Sequence, residues 1–229
     1  MPSPELPILS PPPRFLPLDE LKIIEEKIRD LAKIQQTKLV VKLAQRTEEM
    51  QSDDLSHELI YECLGVYQAE GRMIDLYQNK GRLLYRSAGA LLESATKLCF
   101  KHAFPESGSM KIPNTHGTRP KNFGIDCLVG GDALEIKWRD GTTDGDHVIK
   151  EHTRAMTVAE HGYKPIRVMF YAPNREQSLK IQRTLATLYH GLNGEYYAGA
   201  EAWEYVNDRT GVDLFGIMTR IARGNVASK

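Results

Sequence analysis

Residues 123–138 read FGIDCLVGGDALEIKW and predict two short antiparallel strands joined by a tight turn. If Gly130-Gly131 forms the centre of the turn, the strands pair outward from it in a fixed register, because a two-residue loop sets the register of a hairpin. That register places Asp126 directly opposite Glu135, and directly opposed residues have β-carbons about 4.5–5.5 Å apart. The hairpin therefore predicts a close pair of carboxylates.

The alternation of side chains along each strand gives this hairpin two different faces. Lys137 shares the face of Glu135 and Asp126, because successive side chains of a strand point to opposite sides. If the turn is centred on Gly131-Asp132 instead, the pairing shifts by two positions and the three charged groups still share one face. We expect the other face to join the core, and it carries Ile125, Cys127, Val129, Leu134, Ile136 and Trp138.

The three charged side chains form a set that suits phosphodiester hydrolysis. Two carboxylates held this close repel each other and favour a shared cation, and hard oxygen ligands with positions left for water suit Mg²⁺. An ammonium group beside them can orient the attacking water or help to deprotonate it, while the metal binds a phosphate oxygen. Asp126, Glu135 and Lys137 are therefore the candidate catalytic residues, and Mg²⁺ is the expected cofactor.

The spacing Glu-x-Lys does not identify the site by itself, because the chain holds two further copies. Glu20-Leu21-Lys22 and Glu25-Glu26-Lys27 both lie in a segment predicted to be helical, where charged residues more often form a solvated face. The hairpin context distinguishes the third copy. A surface ion pair without a catalytic role is the alternative interpretation of the hairpin charges.

Asp126 together with Glu135-Ile136-Lys137 resembles the PD-(D/E)XK nucleases, in which an Asp and an E-x-K on adjacent antiparallel strands carry the chemistry. More narrowly, residues 134–154, LEIKWRDGTTDGDHVIKEHTR, are similar to the ApaLI-like type II restriction endonucleases. This resemblance covers roughly residues 80–170. One departure is Gly124-Ile125, which stands where the wider family often has a proline before the aspartate, and it changes no metal ligand.

The resemblance implies a metal site, a substrate and an assembly. Asp126 and Glu135 would be metal ligands, with the Ile136 carbonyl as a third and Glu93 of an upstream helix as a further candidate, although a surface glutamate is the simpler interpretation of Glu93. The substrate would be duplex DNA cut at a short palindrome, GTGCAC if the match is close. A homodimer is expected, because a two-fold symmetric target is most simply read by a two-fold symmetric protein.

The segment 105–122 is rich in Gly, Pro, Ser, Asn and basic side chains, and this composition predicts a long loop. Arg119 and Lys121, with the nearby Lys111 and His116, could contact DNA phosphates. A solvated basic loop without a DNA contact is the alternative.

The segment that follows the predicted catalytic strand must also lie near the DNA, because a chain travels only about 3.3 Å per residue. Asp140 and Asp144 would either accept hydrogen bonds from base amino groups or shape Asp-Gly turns, and Lys150 and Arg154 are expected at phosphates. The candidate DNA-binding residues are therefore Arg119, Lys121, Arg139, Asp140, Thr142, Asp144, His147, Lys150 and Arg154.

A calcium-binding helix-loop-helix module is the rival interpretation of the same segment. Four residues fall at the first, fifth, sixth and twelfth positions of such a loop: Asp140, Asp144, Gly145 and Glu151. Thr142 at the third position and the short segment between the glycine pair and Asp140 disfavour this interpretation, because an incoming helix is required. A DNA-binding protein without catalytic activity is a third possibility.

The rest of the chain predicts a mixed α/β (α+β) fold, a PD-(D/E)XK nuclease core whose mixed sheet is flanked by helices. A periodic apolar pattern predicts a long amphipathic helix from Asp19 to about Met50, and two more helices follow it. Residues 166–171, IRVMFY, predict a buried strand between helices at 147–160 and 175–189. We expect three regions: a proline-rich arm (1–17), a helical region that is a candidate for dimerisation (18–78) and the nuclease core (79–229).

The composition is that of a globular protein. Hydrophobic residues make up 41% and charged residues 26% of the chain, which argues against wholesale disorder. Thirty basic residues balance thirty acidic ones, so any polyanionic partner must be bound by a local patch. The three cysteines are far apart in sequence and predict neither a disulfide framework nor a zinc site, which fits the cytoplasm. We expect neither a signal peptide nor a membrane span, because prolines interrupt the N-terminal segment and no apolar run is long enough.

Overall fold

The computed structural model describes Pro12 and residues 16–140 and 145–227. The proline-rich arm predicted at 1–17 therefore falls mostly outside the described residues, and so do Thr142 and Asp144. The elements in chain order are α1 Leu18–Gln51, α2 Glu58–Cys63, α3 Gln68–Ala103, β1 Gly108–Pro113, β2 Asn122–Val129, β3 Asp132–Arg139, α4 Gly145–Glu160, β4 Lys164–Tyr171, α5 Glu176–Gly191, β5 Glu195–Ala198, α6 Ala200–Thr210 and α7 Leu214–Ala227.

The five strands form one mixed sheet in the order β1-β2-β3-β4-β5. The first three strands pair antiparallel, and β3, β4 and β5 pair in parallel. Parallel neighbours need a crossover connection, which α4 and α5 provide. The mixed sheet flanked by helices and the N-terminal helical region are thus confirmed.

The β2-β3 hairpin has the predicted register. Val129 pairs with Asp132 and Cys127 pairs with Leu134, and Gly130 adopts a φ of 55°, a left-handed conformation that favours glycine. Buried and less buried residues alternate along β2 as expected, but β3 is buried on both faces over most of its length. The face that carries the charged residues is also covered at Glu135, by a residue of α4 described below.

Two strands lie where the sequence did not predict them. β1 falls within the segment 105–122, which was expected to be a loop throughout, and its Ile112 joins a buried cluster with Phe123 and Val158. β5 falls within a segment for which the sequence analysis predicted no strand. At its start, a Cβ on Gly194 would lie 2.4 Å from the Pro165 carbonyl oxygen, so only glycine allows the chain to enter β5 beside β4.

The chain divides into two compact units whose boundaries fall inside α1 and α3. The first comprises the residues up to 28 and from 92 onward, and the second comprises residues 29–91. The first unit contains the sheet and all of the buried hydrophobic side chains of the described chain. No helix among the described residues is both long and apolar enough to cross a membrane. The domain boundaries predicted at residues 17 and 78 stay predictions.

Candidate active site

The β2-β3 hairpin brings Asp126, Glu135 and Lys137 together. The backbone N–H of Ile136 donates a hydrogen bond of 2.8 Å to Asp126 Oδ2, which ties the aspartate of β2 to the strand that carries the other two residues. Lys137 Nζ lies 2.5 Å from Glu135 Oε1. The side chain of Asp126 is half-buried and Glu135 is only 4% exposed, so these charges interact through a poorly solvated environment.

The two carboxylates differ in proton affinity. Burial, followed by the neighbouring charge of Glu135, raises the pKa of Asp126 from 3.8 to about 6. Burial also acts to raise the pKa of Glu135, but Lys137, Arg154 and Arg167 together outweigh it and lower that pKa below its usual value. The surroundings of Asp126 therefore disfavour its ionised form, whereas the surroundings of Glu135 favour its ionised form. Such a division between two carboxylates is common at catalytic sites.

Glu93 of α3 lies within electrostatic reach of the hairpin. Its charge contributes to the raised pKa of Asp126, while its Oε1 lies 2.5 Å from Lys97 Nζ one helical turn away. The side chain is 38% exposed. This placement supports the proposal that Glu93 belongs to the site, and it also explains how the glutamate is held without a metal.

Arg154 of α4 covers the buried face of the hairpin. Its guanidinium pairs with Glu135 Oε1 and lies 3.5 Å from Glu151 Oε1, with only 17% of the side chain exposed. The sequence interpretation placed Arg154 at a DNA phosphate, whereas the structure directs this arginine toward two carboxylates of the protein. At the candidate site, Arg154 therefore contacts the carboxylate of Glu135.

Arg167 of β4 extends this contact into a larger cluster. The side chain is fully buried, and its guanidinium lies 2.8 Å from Glu151 Oε2 and 2.6 Å from Asp140 Oδ2. We call the five residues Glu135, Arg154, Glu151, Arg167 and Asp140 the buried ion-pair network. With Lys137 attached to it, three carboxylates face three cations, so the network carries no large net charge.

Asp140 thus has a structural partner that the sequence did not predict. Its Oδ2 also lies 2.9 Å from Nε2 of His147, and the residue is 8% exposed. The two alternatives from sequence were a base contact and a turn residue. The carboxylate instead links the network to His147 at the start of α4. Asp140 and His147, both predicted to bind DNA, lie on either side of the segment 141–144, which is outside the described residues.

The calcium-loop interpretation is wrong. Strand β3, and not a helix, leads into Asp140, so the incoming helix of a helix-loop-helix module is missing from the described chain. Asp140 and Glu151, which would be its first and last calcium ligands, both bind the guanidinium of Arg167.

The remaining candidate DNA-binding residues that the structure describes are three exposed cations and one half-buried arginine. Arg119 and Lys121 are exposed between β1 and β2, and Lys150 is exposed on α4. Arg139 is half-buried at the end of β3. His116 of the predicted basic loop pairs with Glu160 at 2.8 Å, which fastens that loop to the end of α4.

The residues present fit a divalent cation. Glu135 Oε2 is buried and has no hydrogen-bond partner among the described residues, a costly situation for a carboxylate oxygen that a cation would relieve. Asp126, with its raised pKa, would gain in the same way. Within the described ranges, no three acidic, His or Cys side chains gather as a complete metal cage. Water, the Ile136 carbonyl or a substrate phosphate could supply further ligands if a hard cation such as Mg²⁺ were held here.

The raised pKa of Asp126 means that folding disfavours its charged form, and this leads to a prediction about stability. In the metal-free protein, Asp126→Asn should raise the free energy of unfolding at pH 7.5 by about 1–3 kcal/mol, since a pKa shift of one unit corresponds to about 1.4 kcal/mol. Because the pKa is raised on folding, the wild type loses this stability as the pH rises from 3.8 to about 6. The advantage of the variant should therefore vanish near pH 4.

Urea unfolding in EDTA at pH 4 and pH 7.5 checks this expectation. Adding Mg²⁺ should stabilise the wild type and leave Asp126→Asn nearly unchanged, which provides a readout independent of activity. Equal stabilities of the two proteins at pH 7.5 would contradict the assigned environment of Asp126.

The model of the ApaLI-like restriction endonuclease family matches residues 18–223, nearly the whole chain. No curated protein and no solved structure gives a significant match. The match extends well beyond the segment 80–170 that carried the resemblance in sequence, and it includes every element from α1 to α6 and most of α7. The chain therefore belongs to the ApaLI-like restriction endonuclease family and is a nuclease that acts on DNA.

Proposed function

We propose that this protein is a type II restriction endonuclease that hydrolyses both strands of duplex DNA at a short palindrome, with Mg²⁺ as cofactor and as a homodimer. The carrying observation is the hairpin that joins Asp126 to Glu135 and Lys137 and leaves a buried carboxylate oxygen of Glu135 without a donor among the described residues. GTGCAC is the first target sequence to test. Two free cysteines are buried as thiols, Cys99 and Cys127, which fits a reaction in the reducing cytoplasm.

Each residue of the hairpin has a separate task in this proposal. Asp126 and Glu135 hold Mg²⁺, and the Ile136 carbonyl and Glu93 are the further candidate ligands. Bound Mg²⁺ would supply a Lewis acid that polarises the scissile phosphate and makes water more acidic. Lys137 positions the attacking water, since its ammonium lies at the edge of the Glu135 carboxylate and can donate hydrogen bonds there.

Arg154 supports this chemistry by fixing Glu135 from the side of α4. A guanidinium and an ammonium on the same carboxylate oxygen keep Glu135 ionised and hold its orientation. The exposed cations Arg119, Lys121 and Lys150 are proposed at DNA phosphates, where they would strengthen binding to all sequences alike. Base recognition is proposed for the segment that joins β3 to α4.

Digestion of phage DNA of known sequence tests the proposed function. The purified protein with Mg²⁺ is expected to give discrete fragments whose ends share one palindromic sequence, because each cut requires the same site. A nonspecific smear would contradict sequence specificity, and the absence of any product at saturating protein would favour a DNA-binding protein without catalytic activity.

Replacement of Mg²⁺ by Ca²⁺ should preserve specific binding and abolish cleavage. Ca²⁺ takes more ligands at longer distances than Mg²⁺, so it positions the reacting groups poorly for in-line attack. Gel shifts with a duplex that carries the site, compared with a scrambled duplex, measure binding, and the same samples measure cutting. Equal cleavage rates in the two metals would contradict the two-carboxylate site.

A further inference from the structure

The helical unit formed by residues 29–91 has no hydrophobic core of its own. All of its residues are described, and only Glu58 and Gly71 are buried. In contrast, thirteen of the nineteen exposed large hydrophobic side chains in the described chain lie in this unit. Long amphipathic helices gain most of their stability by packing an apolar face, so these helices expose the surface that would normally stabilise them.

The exposed apolar surface of α3 is organised as one stripe. We define the α3 stripe as Met73, Ile74, Tyr77, Gly81 and Leu84. At 3.6 residues per turn these positions lie within about 100° of the helix circumference. The four large side chains of the stripe are each more than half exposed. An added Cβ on Gly81 would meet no atom within 4 Å, so the stripe is open at its centre.

We propose that the α3 stripe is the dimerisation surface of the protein and that it pairs with the same stripe of a second copy. The inference deepens the proposed function and rests in part on it, because a palindromic target is most simply read by two-fold related copies. A two-fold interface uses one surface patch twice, and a straight apolar stripe with a glycine near its centre allows two helices to approach closely.

The charge of the unit favours a second copy over DNA as the occupant. Residues 29–91 contain nine basic and nine acidic side chains, so two copies have no net charge with which to repel each other, and the α3 stripe itself contains no cation that could bind a phosphate. At roughly 100 Å² per exposed large side chain, the unit offers on the order of 1,000 Å², comparable with the ~800 Å² per partner of a standard interface. The α3 stripe supplies roughly 400 Å² of this area at the same value per side chain, so it would form the centre of the interface and other exposed apolar side chains of the unit would complete it.

Gly81→Glu tests the surface without a risk to the fold of the chain. Glutamate is a better helix former than glycine, and the open space around Gly81 accommodates the side chain. In the dimer the same carboxylate would be buried against apolar groups. The dissociation constant should therefore rise by about 100-fold or more, since burying an unpaired charge is costly.

Arg82→Gln is the matched control, because it changes the net charge of the chain by the same amount at the adjacent, exposed position, about 100° away on the helix. Light scattering in reducing buffer, which prevents disulfide formation through the exposed Cys63, should give twice the chain mass of 25.9 kDa for the wild type and the control. Gly81→Glu should give a monomer at micromolar concentration with an unchanged or higher melting temperature.

Three outcomes would overturn the proposal: a monomeric wild type, a Gly81→Glu variant that remains dimeric, or equal loss of the dimer in both variants. The test is separate from the test of catalysis. A wild type that cuts DNA as a monomer would refute the surface and the proposed homodimer and leave the proposed DNA hydrolysis standing. If the wild type is a dimer that never cuts DNA, and Gly81→Glu abolishes the dimer, the proposed surface would stand and the proposed function would be refuted.

Discussion

Replacing Glu135 by glutamine is expected to lower the DNA cleavage rate by about 10³-fold, because Lys137 and Arg154 both contact the carboxylate of Glu135 and this carboxylate is a proposed metal ligand. A metal ligand contributes several kcal/mol to transition-state stabilisation, and each 1.4 kcal/mol corresponds to a factor of ten in rate. Glutamine keeps the shape of the side chain but removes its charge. Asp126→Asn and Lys137→Ala should cause losses of the same order.

The chain provides its own control for this experiment. Lys27 ends another Glu-x-Lys motif, which lies in helix α1 and not in the hairpin. Its Nζ atom lies 3.2 Å from Nε2 of His102 in an exposed contact. Lys27→Ala should therefore cleave DNA at the wild-type rate. Single-turnover cleavage at saturating protein measures the chemical step in each case, and gel shifts in Ca²⁺ verify that DNA is still bound. Retained activity in any two of the three site variants would refute the assigned site.

The hairpin could be predicted from sequence because its determinants are local. A glycine pair, alternating apolar residues and an Asp and Glu at matched distances from the turn all lie within residues 123–138, and the observed pairing of Val129 with Asp132 follows from them. β1 and β5 could not be predicted in this way, because their stability comes from pairing with β2 and β4. The Pro and Gly content around β1 favours a loop only when that pairing is ignored.

The buried ion-pair network could not be derived from the sequence for a different reason. Arg167 contacts Glu151 and Asp140, which lie 16 and 27 residues earlier in the chain and on other elements. One signal was present: an arginine in the middle of IRVMFY, a strand that is otherwise apolar. A charged residue in a buried strand requires a counter-charge, so this position indicated a partner without identifying it.

Replacing Arg167 by methionine is expected to destabilise the protein by about 3–5 kcal/mol. The variant keeps an unbranched apolar stem but leaves Asp140 and Glu151 as buried carboxylates without this partner, and removal of one member of a buried pair typically costs this much. At about 2–4 °C per kcal/mol for a chain of this size, the melting temperature should fall by roughly 10 °C. Urea unfolding and calorimetry measure both quantities.

Two further variants separate the loss of the ion pair from a general loss of packing. Lys180→Met breaks the exposed Lys180–Glu176 pair on α5 and should change stability by no more than about 0.5 kcal/mol. Neutralising both partners, as Asp140→Asn and Glu151→Gln in the Arg167→Met background, should recover most of the lost stability, because a buried ion pair can be replaced by neutral groups at little cost. If Arg167→Met alone lies within about 1 kcal/mol of the wild type, the guanidinium does not hold these carboxylates. The orientation of Glu135 through Arg154 would then need another support.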